Sequence, residues 1–223
     1  MAIQTLTTPN GAVALLSQQD MQAANNALFV VNCQTPGTAI AYAQLTSYSA
    51  TANGMFVIAN TNAVGGANIY VKRLDLFQTA AVATGTAISF EANVETGVVT
   101  GTTAVITRTA VAVGGGTLNA VVQAFNAGAI TIPAAVGTRK LVGQGWIPVG
   151  VNVVKDNYTM EFGSDAPAAG KTGLTAARAT DTARCVGQMG SFVIPPGSTG
   201  WLNCWGLGTS TPSFEYNLVL VQI

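Results

Sequence analysis

Apolar residues along this chain fall in short runs divided by Gly, Thr, Asn, Ser and Pro, and many are β-branched. Val57-Ile58, Val98-Val99, Val105-Ile106-Thr107, Ile130-Thr131-Ile132 and Val193-Ile194 are examples. Branching at Cβ restricts the side-chain rotamer and suits a pleated, half-buried surface, so such runs read as strands. Turn signals recur at a spacing of roughly ten residues, the rhythm of a sandwich or barrel. The expected fold is all-β: an antiparallel β-sandwich, jelly-roll-like, with at most one or two short helices.

The clearest strands can be placed. Met55 to Ala59 follows Asn53-Gly54, a hairpin-turn dipeptide. Asn68 to Phe77 follows Gly65-Gly66, and Ala87 to Glu91 and Ala104 to Arg108 come next. Pro148 puts the run Trp146 to Val154 at a sheet edge or a bulge. Tyr158 to Phe162, Ser191 to Ile194 and Gly200 to Trp205 follow, and Ser213 to Ile223 has the cleanest alternation. In that last run Phe214, Tyr216, Leu218 and Leu220 share one face, and Glu215, Asn217, Val219 and Val221 share the other.

Two segments compete for helix. Ser17-Gln18-Gln19-Asp20 resembles a capping box that Met21 to Ala24 would extend by one or two turns. Leu118, Val121, Val122 and Phe125 have helical spacing, but Val121, Gln123 and Phe125 also alternate. Three glycines, Gly114 to Gly116, make a poor helix start there and favour a strand. Both halves of the chain have the same texture and no repeat period stands out. We therefore expect one domain over residues 1–223, with residues 1–50 as a candidate N-terminal arm or extension.

Charge changes the picture. The chain has 9 Lys+Arg, 9 Asp+Glu and no His among 223 residues, so 8% is charged and the formal net charge is zero. An ordinary soluble domain is about one quarter charged. With 49% hydrophobic residues, so few charges leave much of the exterior suited to other protein. The densest basic groups are Lys72-Arg73 and Arg139-Lys140, too few to neutralise a row of phosphates, so nucleic acid is not expected as a partner. No apolar run is long enough for a membrane-spanning helix, and the start, Met1 to Thr5, has neither a basic arm nor an export-signal pattern. No membrane partner is expected, and the expected place of synthesis and assembly is a cytoplasm.

The candidate chemistry is thin. Without His, the usual general base near neutral pH is missing, and with it the Ser-His-Asp and Cys-His systems. Cys33, Cys185 and Cys204 are odd in number and far apart, which fits small buried apolar residues better than a disulfide or zinc framework. Asp165 to Thr172 (DAPAAGKT) ends like a phosphate loop, but Asp165 stands where the motif needs Gly and would repel phosphate. Pro196-Gly197-Ser198-Thr199-Gly200 resembles a nucleophile elbow with Pro in place of its first Gly, and reads better as a Pro-Gly turn. The acidic pairs Glu91 with Glu95 and Glu161 with Asp165 have no base between them. Asn157-Tyr158-Thr159 fits a glycosylation acceptor by chance. Trp201 and Trp205 would share a strand face with Asn203, an arrangement that packs a core or interface more often than it stacks on sugar. We assign no catalytic, cofactor-binding or metal-ligating residue and expect no enzyme activity.

The order of segments from Met55 onward resembles the small head-decoration (cement) proteins of tailed bacteriophages. The matching elements are Phe56-Val57-Ile58-Ala59-Asn60, Ile69 to Leu74, and a strand with Pro148, Asp156 and Tyr158 leading to Phe162-Gly163. A Pro195-Pro196-Gly197-Ser198 turn and the opening Ser213-Phe214-Glu215-Tyr216 complete them, together covering about two thirds of the chain. The resemblance implies a β-rich virion protein on the outer capsid surface, bound to shell subunits and to its own copies, with a trimer favoured. This chain departs from the family in its scarcity of charge, so no binding residue is carried over. The expected function is to decorate and stabilise a capsid by non-covalent contacts. Alternatives are a major jelly-roll coat subunit, or a carbohydrate-binding or adhesive module that uses Trp201 and Trp205.

Overall fold

A computed structural model describes residues 5–7, 13–15, 27–35, 39–41, 54–80, 88–98, 105–113, 115–125, 139–147, 154, 157–162, 191–206 and 213–223. Among them every regular element is a strand and every pairing is antiparallel. A small hairpin joins β1 (Thr5–Thr7) to β2 (Val13–Leu15). The rest form two larger sheets. In chain order the strands are β3 (Leu28–Asn32), β4 (Ile40–Ala41), β5 (Gly54–Asn60), β6 (Ile69–Ala80) and β7 (Ile88–Thr96). Then come β8 (Val105–Arg108), β9 (Val111–Ala112), β10 (Ala120–Phe125) and β11 (Arg139–Ile147). The last are β12 (Asn157–Glu161), β13 (Phe192–Ile194), β14 (Ser198–Gly206) and β15 (Ser213–Gln222). The candidate helix at 17–24 lies outside the described residues. The Leu118–Phe125 stretch resolves as strand β10 from Ala120 on.

One sheet runs β11-β7-β14-β5-β10-β8 and the other β12-β6-β15-β3-β9, with β13 also on β6 and β4 also on β15. Eight of these strands are nested. The first pairs with the last (β3 with β15), then β5 with β14, β6 with β12 and β7 with β11. Two further pairings, β15 with β6 and β14 with β7, fold the nested set into facing sheets. Strands β8, β9 and β10 are inserted between the two innermost nested strands. They widen both sheets, and only Thr109 and Ala110 separate β8 in one sheet from β9 in the other.

The core lies between the sheets. Phe214, Tyr216, Leu218 and Leu220 of β15 are all buried in it, as their alternation predicts. The Phe56 and Tyr216 rings meet edge to face, 4.7 Å between centroids, tying the two sheets together. On the back of β15, Val219 and Val221 join Ala27 and Leu28 in a second apolar cluster against Tyr70. Strand β6 shows how a local sequence sets register. Its core residues are Ile69 and Val71, then Leu74 and Leu76, a switch from odd to even. The pairing slips between Val219 and Leu220, leaving Lys72 as an extra residue. Lys72-Arg73 is thus a β-bulge, with side chains turned out where a continuous alternation would have buried one of them. The neighbour on that edge also changes there, from β13 to β12.

The strand that contains Trp146 begins earlier than expected, at Arg139, and runs to Ile147; residues 148–153 of the expected run lie outside the described residues, and Val154 sits in a turn. The sandwich also reaches back into residues 1–50, because β3 pairs directly with β15 and with β9.

Candidate functional site

Among the described residues, the residue types expected to matter for chemistry are not brought together as a reacting set. Ser198 is buried and opens strand β14, directly after a turn in which its N–H donates to the Pro195 carbonyl at 3.1 Å. Gly197 has φ of 69°, so Pro196-Gly197 is a type II turn, as read from sequence. The sequence around Asn157 lies in β12, where Thr159 Oγ1 donates to Asp75 Oδ1 at 2.8 Å. Arg73 Nε sits 3.0 Å from Asp75 Oδ2, and Lys72 lies 5.4 Å from the Tyr70 ring centroid. Glu161 is exposed opposite Arg73, and Arg139 stands opposite Glu95 in register. Residues 165–172 and Cys185 lie outside the described residues, as does the side chain of Cys204.

Glu91 and Glu95 do share a surface, the outer face of the six-stranded sheet, with Asn93 between them. Trp201 is opposite Asn93, and Asn203 is opposite Glu91. Asn93, Glu95, Thr199, Trp201, Asn203 and Gln123 are all buried. Trp201 is closed off, so its ring is not presented to a sugar at the surface; the side chain of Trp205 is not among those described. Neither amide atom of Asn203 has a hydrogen-bond partner.

A shallow cavity of about 230 Å³ lies over β3 and β15, lined by Asn32, Cys33, Gln34, Glu215, Tyr216 and Asn217 among others. Arg108 approaches it from β8: Nη1 donates to the Cys33 carbonyl at 3.3 Å, and the guanidinium lies 5.8 Å from the Tyr216 ring centroid. Burial pushes the Cys33 thiol up, against opposing pulls from the Tyr216 backbone and Arg108, and Glu215 adds a smaller push upward. A thiol held in that direction is a poor nucleophile.

The most organised surface is at the opposite end of the sandwich, where sequence reasoning saw only turn signals. Its centre is Asn60, fully buried at the end of β5. Asn60 Nδ2 donates to Ala67 O at 3.0 Å and to Ile194 O at 2.8 Å. Its Oδ1 accepts from Asn62 N at 3.1 Å and Asn62 Nδ2 at 2.9 Å, so all four hydrogen-bonding positions of one amide are used. The network continues outward. Asn119 Nδ2 donates to Asn62 Oδ1, Asn119 N to Gln222 Oε1, and Gln222 Nε2 to Thr117 O. Backbone bonds join Gly97 N to Gly197 O, Gly197 N to Asn60 O, and Asn68 with Ile223 in both directions. Five loops and strand ends are thereby fastened into one crown. At its tip, Gly66 N donates to Ala63 O at 2.8 Å and Gly65 has φ of 86°, a second type II turn that presents Val64. The sequence signal for this crown was Asn-x-Asn beside Gly-Gly; what it lacked was the partners, which come from far along the chain.

No family model, no curated protein and no solved structure matches this chain.

Proposed function

We propose that this chain is a structural protein of a phage-like virion, which decorates the capsid and stabilises it through non-covalent contacts with shell subunits and with its own copies. The observation that carries this reading is the nested order of eight strands across two facing sheets. We read that order as a jelly roll of two Greek keys, an architecture used by viral shell proteins among others. Two further features support it. The charge content is far below that of an ordinary soluble domain, and the crown is rigid and made of neutral residues. A rigid scaffold with an apolar, weakly charged exterior suits repeated contact with other subunits. Apolar area buried there contributes about 25 cal/mol per Å², partly offset by the entropy lost on association.

The test is addition of purified chain to shells assembled without it. Saturable co-sedimentation, with raised resistance of the shells to heat or osmotic shock, is the expected result. No binding, or binding without reinforcement, would sink the reading. The nested strand order equally favours a second one, the main coat subunit. That reading requires the chain alone to assemble into closed shells, visible by negative-stain microscopy.

A further inference from the structure

We infer that the crown of loops around Asn60 is a like-to-like contact, through which copies of this chain meet around a rotation axis. This deepens the virion reading above and rests on its premise that the chain assembles with its own copies.

The first observation is charge. Residues 60–68, 96–98, 113, 115–119, 195–197 and 222–223 include no Asp, Glu, Lys or Arg. On the strands beneath, Glu95 is buried and stands opposite Arg139 of the edge strand in register. The second is exposed apolar surface. Of the seven large apolar residues exposed among the described residues, four belong to this end: Val64, 95% exposed, Val98 47%, Val113 52% and Ile223 57%; the other three are Val111, Leu141 and Val154. Val98 follows Gly97, which is bonded to Gly197; Ile223 is bonded to Asn68; Val113 N donates to Leu28 O beside the last residues of β15. The third is rigidity. The loops are already cross-linked by side-chain and backbone hydrogen bonds, so docking need not order them first.

Charge complementarity selects the occupant. A face with no charged side chain offers little to a strongly acidic or basic partner. A rotation axis, in contrast, brings each residue close to its own copy, where any charge would face the same charge at a cost of several kcal/mol. A crown of Val, Gly, Asn and Thr avoids that penalty, and its best match in charge is itself. The surface around the Cys33 cavity, with Glu215 and Arg108, does not have this property.

The experiment is sedimentation velocity of the full chain and of two variants, Val64→Glu and Val64→Lys, alone and mixed one to one. Val64 is almost wholly exposed, so neither change should alter the circular dichroism spectrum; Val98→Glu on the neighbouring loop is a second probe should one of them fail to fold. The wild type is expected to self-associate, each variant to weaken that association at least about tenfold, and the mixture to recover it as Glu meets Lys. A wild type that stays monomeric at high concentration, or a variant whose mass is unmoved, overturns the inference. Dissociation without recovery in the mixture also overturns it, because Val64 would then contact a different face of its neighbour. Shell co-sedimentation on the same samples separates the two ideas. Wild-type chain that binds shells while Val64→Glu leaves its self-association intact removes only the like-to-like contact; wild-type chain that binds no shells removes the virion reading.

Discussion

The six-stranded sheet has two buried faces of opposite character. Its inner face presents Phe56, Ile58, Ala92, Val122, Ala124 and Leu202 to the other sheet, with the polar side chains Asn60 and Arg108 at its two ends. Its outer face, one residue out of step, presents Asn93, Glu95, Gln123, Thr199, Trp201 and Asn203 around Val57 and Ala59, and these too are buried. The same strands therefore serve two kinds of burial. The inner face is stabilised by area and close packing. The outer face depends on whether each polar group finds a partner: Thr199 Oγ1 donates to Gly97 O at 2.7 Å, whereas the Asn203 amide makes no hydrogen bond. Alternation along a strand says which residues keep company; it does not say which set meets water.

Substitutions can break this contrast or sharpen it. Removing residues 213–223 takes away the strand against which the inner face packs, and loss of folding is expected, with no cooperative unfolding transition by circular dichroism. A well-folded truncation would show that β15 is dispensable. Phe56→Ala opens a cavity beneath Tyr216 and is expected to cost about 3–5 kcal/mol in urea unfolding, as for large-to-small changes in a packed core. A loss under about 1 kcal/mol would mean that the inner face is loosely packed.

A smaller effect should appear at alkaline pH. Burial raises the Tyr216 hydroxyl from 10 to about 12, against the pull of Arg108. The folded chain then holds this proton where the unfolded chain has released it. The contribution is fully present below pH 10 and is lost as pH rises from 10 to about 12, by roughly 2–3 kcal/mol. Tyr216→Phe should flatten that part of the stability profile. The smallest effect is expected on the outer face. Asn203→Leu replaces an amide that has no hydrogen bond with a side chain of similar size, so stability should change by less than about 1 kcal/mol or increase. A loss above about 2 kcal/mol would place a hydrogen-bonding partner on that amide and erase the contrast.

What the sequence made legible follows the same division. Strand β15 was readable because its core-facing residues alternate without interruption, and β6 because its apolar residues alternate on either side of the Lys72-Arg73 bulge. Strand β3 was not, since Leu28 to Val31 is a continuous apolar run whose two faces join different clusters, Phe29 and Val31 in the core and Leu28 behind it. The start of β11 was hidden by Gly143 and Gly145, which weaken any strand pattern. Of the crown, the Pro196-Gly197 and Gly65-Gly66 turns could be read locally. The Asn60 clasp could not, because Ile194 stands 134 positions away in the chain.

Nesting the first strand against the last has a consequence for biosynthesis. Strand β3 stays a bare edge until residues 213–222 leave the ribosome, since β15 is what joins it to β6. Neither hairpins nor local turns can substitute, and such distant pairing is slow to find. Folding is thus deferred until translation of this segment is complete, and a growing chain carries an unpaired edge in the meantime, the condition that invites chaperone capture or premature aggregation.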